Sequence, residues 1–142
     1  MTTLSRRTFA LAVEPEEDCS LYARMDGDPH KLIYKPRYNR ITGSVFASIL
    51  LKQMMYWWFN DKIKEQPFYK FDAPCKHDLY RPGDSWQEEL GFSRSELESA
   101  RSKIATKIVT GVSKAAAMET SMVVYWIEPN RLTFYELNLH LI

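Results

Sequence analysis

Short polar and cationic side chains recur between residues 94 and 103 at spacings that leave them on the outer side of a helix. The set comprises Arg94, Ser95, Ser99, Ser102 and Lys103. Hydroxyl, ammonium and guanidinium groups donate hydrogen bonds to phosphate oxygens and to the edges of bases. A solvated helix face uses the same residue types. The pattern therefore indicates a candidate phosphate- or base-contacting surface, and it requires a helix to present it.

A second group of reactive side chains lies at Cys75, Lys76 and His77, between two nearby aspartates. A structural zinc site needs four ligands, which commonly come as two spaced pairs. The remaining cysteine and histidines have no such pairing; they are Cys19, His30 and His140. The chain also has no serine-nucleophile elbow, no Walker loop and no glycine-rich dinucleotide motif. We therefore predict no metal, no cofactor and no enzymatic activity.

The composition indicates one globular domain over residues 1–142. Apolar residues make up 45% of the chain and aromatic residues 13%, which excludes disordered, collagen-like and disulfide-scaffold proteins. The apolar run Ile49-Leu50-Leu51 ends at Lys52, and no apolar run in the sequence approaches the roughly 18 residues that span a membrane. Two cysteines make no disulfide framework, and the N-terminal residues do not resemble a secretory signal. We expect a cytoplasmic protein without a membrane partner.

Charge is nearly balanced overall but segregated near the N-terminus. Nineteen Lys and Arg against eighteen Asp and Glu give a net charge of +1, so no whole-chain electrostatic argument favours nucleic acid. Residues 14–28 hold six acids and one arginine. Residues 30–40 carry four cations, including Arg37 and Arg40, and no acid. The two segments either pair with each other or form separate interaction surfaces. The candidate protein-binding acids are Glu14, Glu16, Glu17 and Asp18.

The strongest helix pattern covers residues 42–60, after an irregular acidic segment at 1–30 and an expected short strand at 30–34. Thr42 offers an N-cap. Because most of the circumference is apolar, we expect this helix to be buried on most sides, with Trp57 and Trp58 in the core rather than on a base-stacking surface. It is then either the central helix of the domain or part of a homodimer interface. Its narrow polar strip consists of Ser44, Ser48, Lys52, Tyr56 and Asn60.

A helix-turn-helix pattern covers residues 84–108. Asp84 or Ser85 can cap a helix of barely two turns, and Gly91 supplies the left-handed residue that ends it. A capping box begins the longer second helix, as expected for a serine followed three residues later by a glutamate. The box comprises Ser93 and Glu96. The inward residues of the second helix are expected to be Leu97, Ala100, Ile104 and Ile108.

The C-terminal part predicts a β-hairpin over residues 122–139, because two β-rich runs flank a turn-forming Pro129-Asn130-Arg131. Arg131 lies where a hairpin could touch a phosphate backbone. Residues 68–71 are expected to form a short strand earlier in the chain, and residues 111–121 form either a short helix or a mobile loop.

These patterns together resemble the winged-helix domains of phage, plasmid and integrative-element proteins, including N-terminal domains of replication initiators and replisome organisers. The resemblance spans about residues 40–139. It implies an α+β winged helix-turn-helix with a long buried central helix, a hairpin wing and a DNA-associated role in a mobile element. The segments that carry it are Gln53-Met54-Met55-Tyr56-Trp57-Trp58, Asp84-Ser85-Trp86 through Ser93-Arg94, and Tyr125-Trp126 with Asn130-Arg131-Leu132-Thr133-Phe134-Tyr135.

Two functions follow as hypotheses. In the first, the chain binds double-stranded DNA: the residue 94–103 set enters a groove, Arg131 contacts a neighbouring phosphate, and Arg37 and Arg40 extend the positive path. In the second, it is a small phage-type inhibitor that binds a host protein, such as a nucleic-acid-guided defence complex, through an acidic or helical surface. The balanced charge and the presence of Glu96 and Glu98 beside the candidate helix face keep the second hypothesis open.

Overall fold

The computed structural model describes residues 31–60 and 64–142, and these form a mixed α+β structure. The predicted irregular segment at 1–30 and the acidic candidates within it lie outside the described residues. In chain order the elements are α1 (Tyr38–Thr42), α2 (Val45–Asn60), β1 (Phe68–Tyr69), α3 (Trp86–Leu90), α4 (Arg94–Ile104), β2 (Ala105–Lys107), α5 (Lys114–Thr120), β3 (Val123–Ile127), β4 (Thr133–Leu137) and a 3-10 turn (Leu139–Leu141).

The described strands make one sheet in the order β1-β4-β3-β2. The predicted hairpin is present as antiparallel β3 and β4, in register from Val123 opposite Leu137 to Ile127 opposite Thr133. β1 adds to the outer side of β4, also antiparallel. β2 pairs parallel with β3, and such a pair requires a crossover connection, which contains α5.

The second helix of the predicted helix-turn-helix ends at Ile104, four residues earlier than expected. Ala105 is already extended, with φ −132° and ψ 148°. The following residues are rich in β-branched side chains, which favour strands. The backbone N–H of Ile108 donates to the carbonyl of Tyr125, at 2.7 Å, and continues the pairing with β3. Ala105–Lys107 therefore form a strand of the sheet instead of continuing the helix.

The prediction that Thr42 caps the long helix is wrong. Thr42 is the last residue of α1, and Gly43 follows in the left-handed region, with φ 74°. Ser44 takes the capping position instead, since its hydroxyl accepts from the N–H of Ala47 at 3.2 Å. The Thr42 hydroxyl contacts the hydroxyl of Ser48 at 2.7 Å.

The strand expected at residues 30–34 is not formed by its described part. Residues 31–34 are exposed and belong to no strand or helix, and residue 30 lies outside the described residues. No described strand pairs with them, so their backbone has no sheet ladder to join.

The core lies where α2 packs against α4 and the sheet. Leu50 and Met54 of α2 and Leu97 of α4 are fully buried. Ile108, which follows the shortened helix, is only half-buried. Further buried core residues include Leu51, Trp58, Trp86, Ala100, Ile104, Val123 and Tyr135.

The long helix is less enclosed than its composition predicts. Val45 and Phe46 remain 48% and 44% exposed, while Ser48, from the predicted polar strip, is buried. Phe46 packs edge-on against Phe92 in the α3–α4 turn, with ring centroids 5.0 Å apart.

Within residues 31–60 and 64–142, no helix combines the length and the apolar character that crossing a bilayer requires.

Candidate nucleic-acid interface

The turn between α3 and α4 has the local structure that the sequence predicts. Ser85 caps α3 by accepting from the N–H of Glu88, and Gly91 ends it with φ 72°. The Ser93 hydroxyl accepts from the N–H of Glu96 at 3.2 Å, and the Glu96 carboxylate accepts from the N–H of Ser93 at 2.8 Å. This complete capping box fixes where α4 begins and how it leaves the turn.

α4 divides into a buried face and an exposed face. Leu97, Ala100 and Ile104 point into the core, as their spacing predicts. The opposite face is exposed and holds all five candidates from the residue 94–103 set, namely Arg94, Ser95, Ser99, Ser102 and Lys103. We call these five residues the α4 face. The fold therefore presents them to solvent on a helix whose other side is fixed by packing.

The α4 face is only weakly positive. The Arg94 side chain is 83% exposed and its Nε donates to Glu98 at 3.1 Å, so the first cation has an acidic neighbour one turn away. Lys103 has no ion-pair partner among the described residues. The Ser102 hydroxyl donates to the carbonyl of Ser99 at 2.8 Å, which leaves its oxygen free to accept. Hydrogen bonding to an anion would come mainly from Arg94, Lys103 and the serine hydroxyls.

Arg131 lies at the tip of the β3–β4 hairpin and is exposed. Its backbone has φ 67°, an uncommon left-handed conformation for a residue with a side chain. Its N–H donates to the carbonyl of Glu128 at 2.8 Å, and the N–H of Glu128 donates to the carbonyl of Leu132 at 2.9 Å. These bonds hold a tight turn, and Arg131 is exposed at its tip.

A loop that contains His77 packs against this hairpin tip. His77 Nδ1 accepts from the N–H of Leu79 at 3.0 Å, so Nε2 carries the proton and donates to the carbonyl of Asn130 at 2.8 Å. An open groove of about 770 Å³ lies between the loop and the tip, and its lining includes Lys76 and Arg131. Lys76 is a cation that the sequence reasoning missed as a neighbour of Arg131, because only the fold brings residues 76 and 131 to one groove.

The side chains of Cys75 and His77 are not arranged as metal ligands. Both ring nitrogens of His77 are already hydrogen-bonded, and Cys75 is exposed and free. Across residues 31–60 and 64–142, no group of three or more His, Cys, Asp or Glu side chains is placed to hold a metal ion.

A buried arginine fixes α4 to the sheet, and the sequence did not single it out. Arg101 donates to both carboxylate oxygens of Asp72, at 2.7 and 3.0 Å, and to the hydroxyl of Tyr135 at 2.9 Å. Burial alone lowers the pKa of Arg101, but the hydrogen bonds and charge of Asp72 outweigh it and raise the pKa overall. Burial also raises the pKa of Tyr135, to about 12. Both groups therefore keep their protons throughout the neutral range.

A second buried cation joins α2, β1 and α3. Lys70 is 3% exposed, and its ammonium pairs with Glu89 and, at 3.0 Å, with Asp84. It also lies 4.4 Å from the centroid of the Trp57 ring, whose indole N–H donates to Glu89 at 2.9 Å. Trp57 is thus half-buried at the edge of the core and committed to this network, while Trp58 is buried. Lys70 lies over the Trp57 ring and Trp58 is buried, which disfavours a role for either side chain in stacking bases.

The eight predicted DNA-contacting residues fall on three separate elements. Arg37 and Arg40 are exposed at α1, whose main packing partner is α2, whereas Arg131 is at the hairpin tip and the other five form the α4 face. Within the described ranges no hydrogen bond or ion pair connects one of these three groups with another.

Comparison with known proteins adds no family to these observations. No protein-family model, curated protein or solved structure matches the chain. The function is therefore inferred from the geometry and charge of the described residues.

Proposed function

We propose that this chain is a non-enzymatic, winged-helix DNA-binding protein that assists the replication of a mobile genetic element. In this proposal α4 enters a groove of the duplex and the β3–β4 hairpin is the wing. The observation that carries the proposal is the α4 face: five exposed polar and cationic side chains on a helix whose opposite side is buried and whose start is fixed by a capping box.

The order of the elements supports the winged-helix assignment. α2 is followed by β1, then by the α3–turn–α4 pair, and finally by the β3–β4 hairpin. β1 lies against β4, so the strand before the helical pair and the hairpin after it share one sheet. The segment with β2 and α5 is an insertion between the second helix and the wing.

The charge distribution supports binding that is moderate and sensitive to salt. Residues 1–30 carry three arginines and six acids, so residues 31–142 carry sixteen cations against twelve acids, a net charge of +4. The two buried cations, Lys70 and Arg101, are matched by Asp84, Glu89 and Asp72. The excess positive charge therefore remains on exposed groups, where it can release counterions from a phosphate backbone.

The test is a titration of the full chain with duplex DNA at two salt concentrations. We expect Arg94→Ala with Lys103→Ala to weaken binding and to lower the slope of log affinity against log salt by about one unit for each phosphate that is no longer neutralised. The matched control removes two cations outside the α4 face, Lys52 on α2 and Lys64 after it. Wild-type chain that binds no duplex even at low salt would eliminate the proposal.

The inhibitor hypothesis remains the second candidate, because the Arg94–Glu98 pair reduces the positive charge of α4 and the acids of residues 14–28 are concentrated in one segment. Its test is charge reversal of Glu16, Glu17 and Asp18 to lysine. If an acidic surface binds a basic protein, these changes should abolish that association. The double replacement of Arg94 and Lys103 should then leave it intact, which is the opposite of the result expected for DNA.

A further inference from the structure

A second concave surface lies on a different part of the fold from the α4 face. A groove of about 540 Å³ opens between α1, α2 and the C-terminal 3-10 turn. Its apolar lining includes Ile41, Met55 and Leu139. Ile41 and Leu139 remain 43% and 38% exposed, so both side chains are accessible to a ligand in the groove. We call this surface the α1–α2 groove.

The chain segments that build the groove contain cations and no acid. Residues 31–60 carry five Lys and Arg and no Asp or Glu, and residues 137–142 also lack acids. Arg37 lines the groove itself, and Arg40 follows one helical turn later on α1. Both are exposed and neither has an ion-pair partner among the described residues. The surface is therefore apolar at its floor and positive at its rim.

We infer that the α1–α2 groove binds a short segment of a partner protein in which apolar side chains are flanked by acidic residues. An apolar side chain would cover Ile41 and Leu139, and the flexible Met55 would adapt to its shape. The flanking carboxylates would pair with Arg37 and Arg40. Such pairs would steer the partner onto the groove and disfavour basic or neutral segments.

The same features argue against three other occupants. A DNA backbone would use the arginines but leave the apolar floor uncovered. A bilayer presents a broad surface that does not fill a concave groove. A second copy seated groove to groove would supply no acid for Arg37 and Arg40, because a two-fold interface uses the same patch on both chains and the segments that build this patch contain none. A protein segment with apolar and acidic residues is the occupant that can both cover the apolar floor and pair with the arginines.

The experiment selects short random peptides displayed on phage against the full wild-type chain, with counter-selection on the Ile41→Asp variant. We expect enrichment of peptides with one or two large apolar residues between acids. The selected peptide should lose at least about tenfold in affinity to Ile41→Asp and to Arg37→Glu with Arg40→Glu. Lys64→Glu, an exposed charge reversal outside the groove, should bind it as wild type does.

Several outcomes would overturn the inference. These are enrichment of basic or neutral sequences, no enrichment, or a peptide whose affinity is unchanged by Ile41→Asp. Self-association that Ile41→Asp abolishes would assign the groove to a second copy, and binding to anionic vesicles that depends on Ile41 would assign it to a membrane. Duplex titration separates this inference from the proposed function: Ile41→Ala, which removes apolar lining from the groove without changing any charge, should leave DNA affinity and its salt slope unchanged. Circular dichroism of each variant shows whether it folds.

Discussion

Arg101 and Asp72 form a two-point ion pair between α4 and the segment that follows β1. Both terminal nitrogens of the guanidinium contact the carboxylate, at 2.7 and 3.0 Å, although the two residues are 29 positions apart in the chain. The arginine side chain is 11% exposed and the aspartate side chain 43%. The pair thus holds the buried side of the helix whose other side carries the α4 face, and the orientation of that face depends on it.

The ion pair leads to a stability prediction. Arg101→Lys keeps the charge but removes the planar two-point contact with Asp72 and the bond to Tyr135, so we expect a decrease of about 2 kcal/mol in unfolding free energy. The partly exposed aspartate can still be hydrated, which limits the cost. Urea unfolding measures the change. Arg94→Lys, at an exposed position of the same helix, should unfold at the wild-type midpoint, and equal midpoints for all three proteins would show that the Asp72 contact is dispensable.

Tyr135 predicts a specific pH dependence of stability. Its pKa is raised to about 12 in the folded chain, against an ordinary value near 10 in the unfolded chain. Between about pH 10 and pH 12 the unfolded state releases the phenolic proton while the folded state keeps it. The unfolded state then binds fewer protons, so the unfolding free energy falls as pH rises, by at most about 1.4 kcal/mol per pH unit from this group. Below about pH 10 the contribution is fully present.

The matched variant for this effect is Tyr135→Phe, which removes the titrating hydroxyl and keeps the ring. Urea unfolding from about pH 9 upward should show a shallower fall in stability for this variant than for wild type. An ultraviolet titration should also lack the most basic tyrosine. Parallel pH profiles for the two proteins would be inconsistent with a buried, proton-retaining Tyr135.

The capping box of α4 predicts that replacing either of two serines by alanine has different effects on stability. Ser93→Ala removes the hydroxyl that accepts from the N–H of Glu96, and we expect a decrease of about 1 kcal/mol in unfolding free energy. Ser99→Ala lies within the same helix on the exposed face and should leave stability unchanged or slightly higher, because alanine favours helix. Thermal unfolding of both variants tests this, and a larger decrease for Ser99 than for Ser93 would contradict the assignment of the cap.

Glu98 predicts a gain in DNA affinity if the proposed function is right. Glu98→Gln removes the acid that pairs with Arg94 on the exposed side of α4, which frees the guanidinium and lessens repulsion of phosphates. We expect duplex affinity at low salt to rise by a factor of about 2 to 5. Glu119→Gln, an exposed acid on α5, is the control and should change affinity less. Weaker binding by Glu98→Gln would show that Glu98 itself contacts the duplex, for example at a cytosine amino group.

The amino-acid sequence determined the local structure of the region that carries the candidate interface. Gly91 ends one helix and Ser93 with Glu96 begins the next, because both signals act between residues at most four positions apart. The spacing of Leu97, Ala100 and Ile104 was likewise enough to separate the buried from the exposed face of α4. The same holds for the hairpin, whose turn residues lie between two β-rich runs.

Tertiary structure decided what depends on partners far apart in the chain. α4 ends at Ile104 because β3 offers the following residues a parallel partner that no local pattern reveals. Thr42 does not cap the long helix because it is the last residue of α1. Gly43, in the left-handed region, separates the two helices. Buried cations such as Arg101 give no periodic signal, since a charged residue reads as solvent-exposed until its distant carboxylate is in place. The placement of Lys76 and Arg131 in one groove has the same origin: 55 positions separate them in the sequence, and only the packing of the His77 loop on the hairpin tip brings them together.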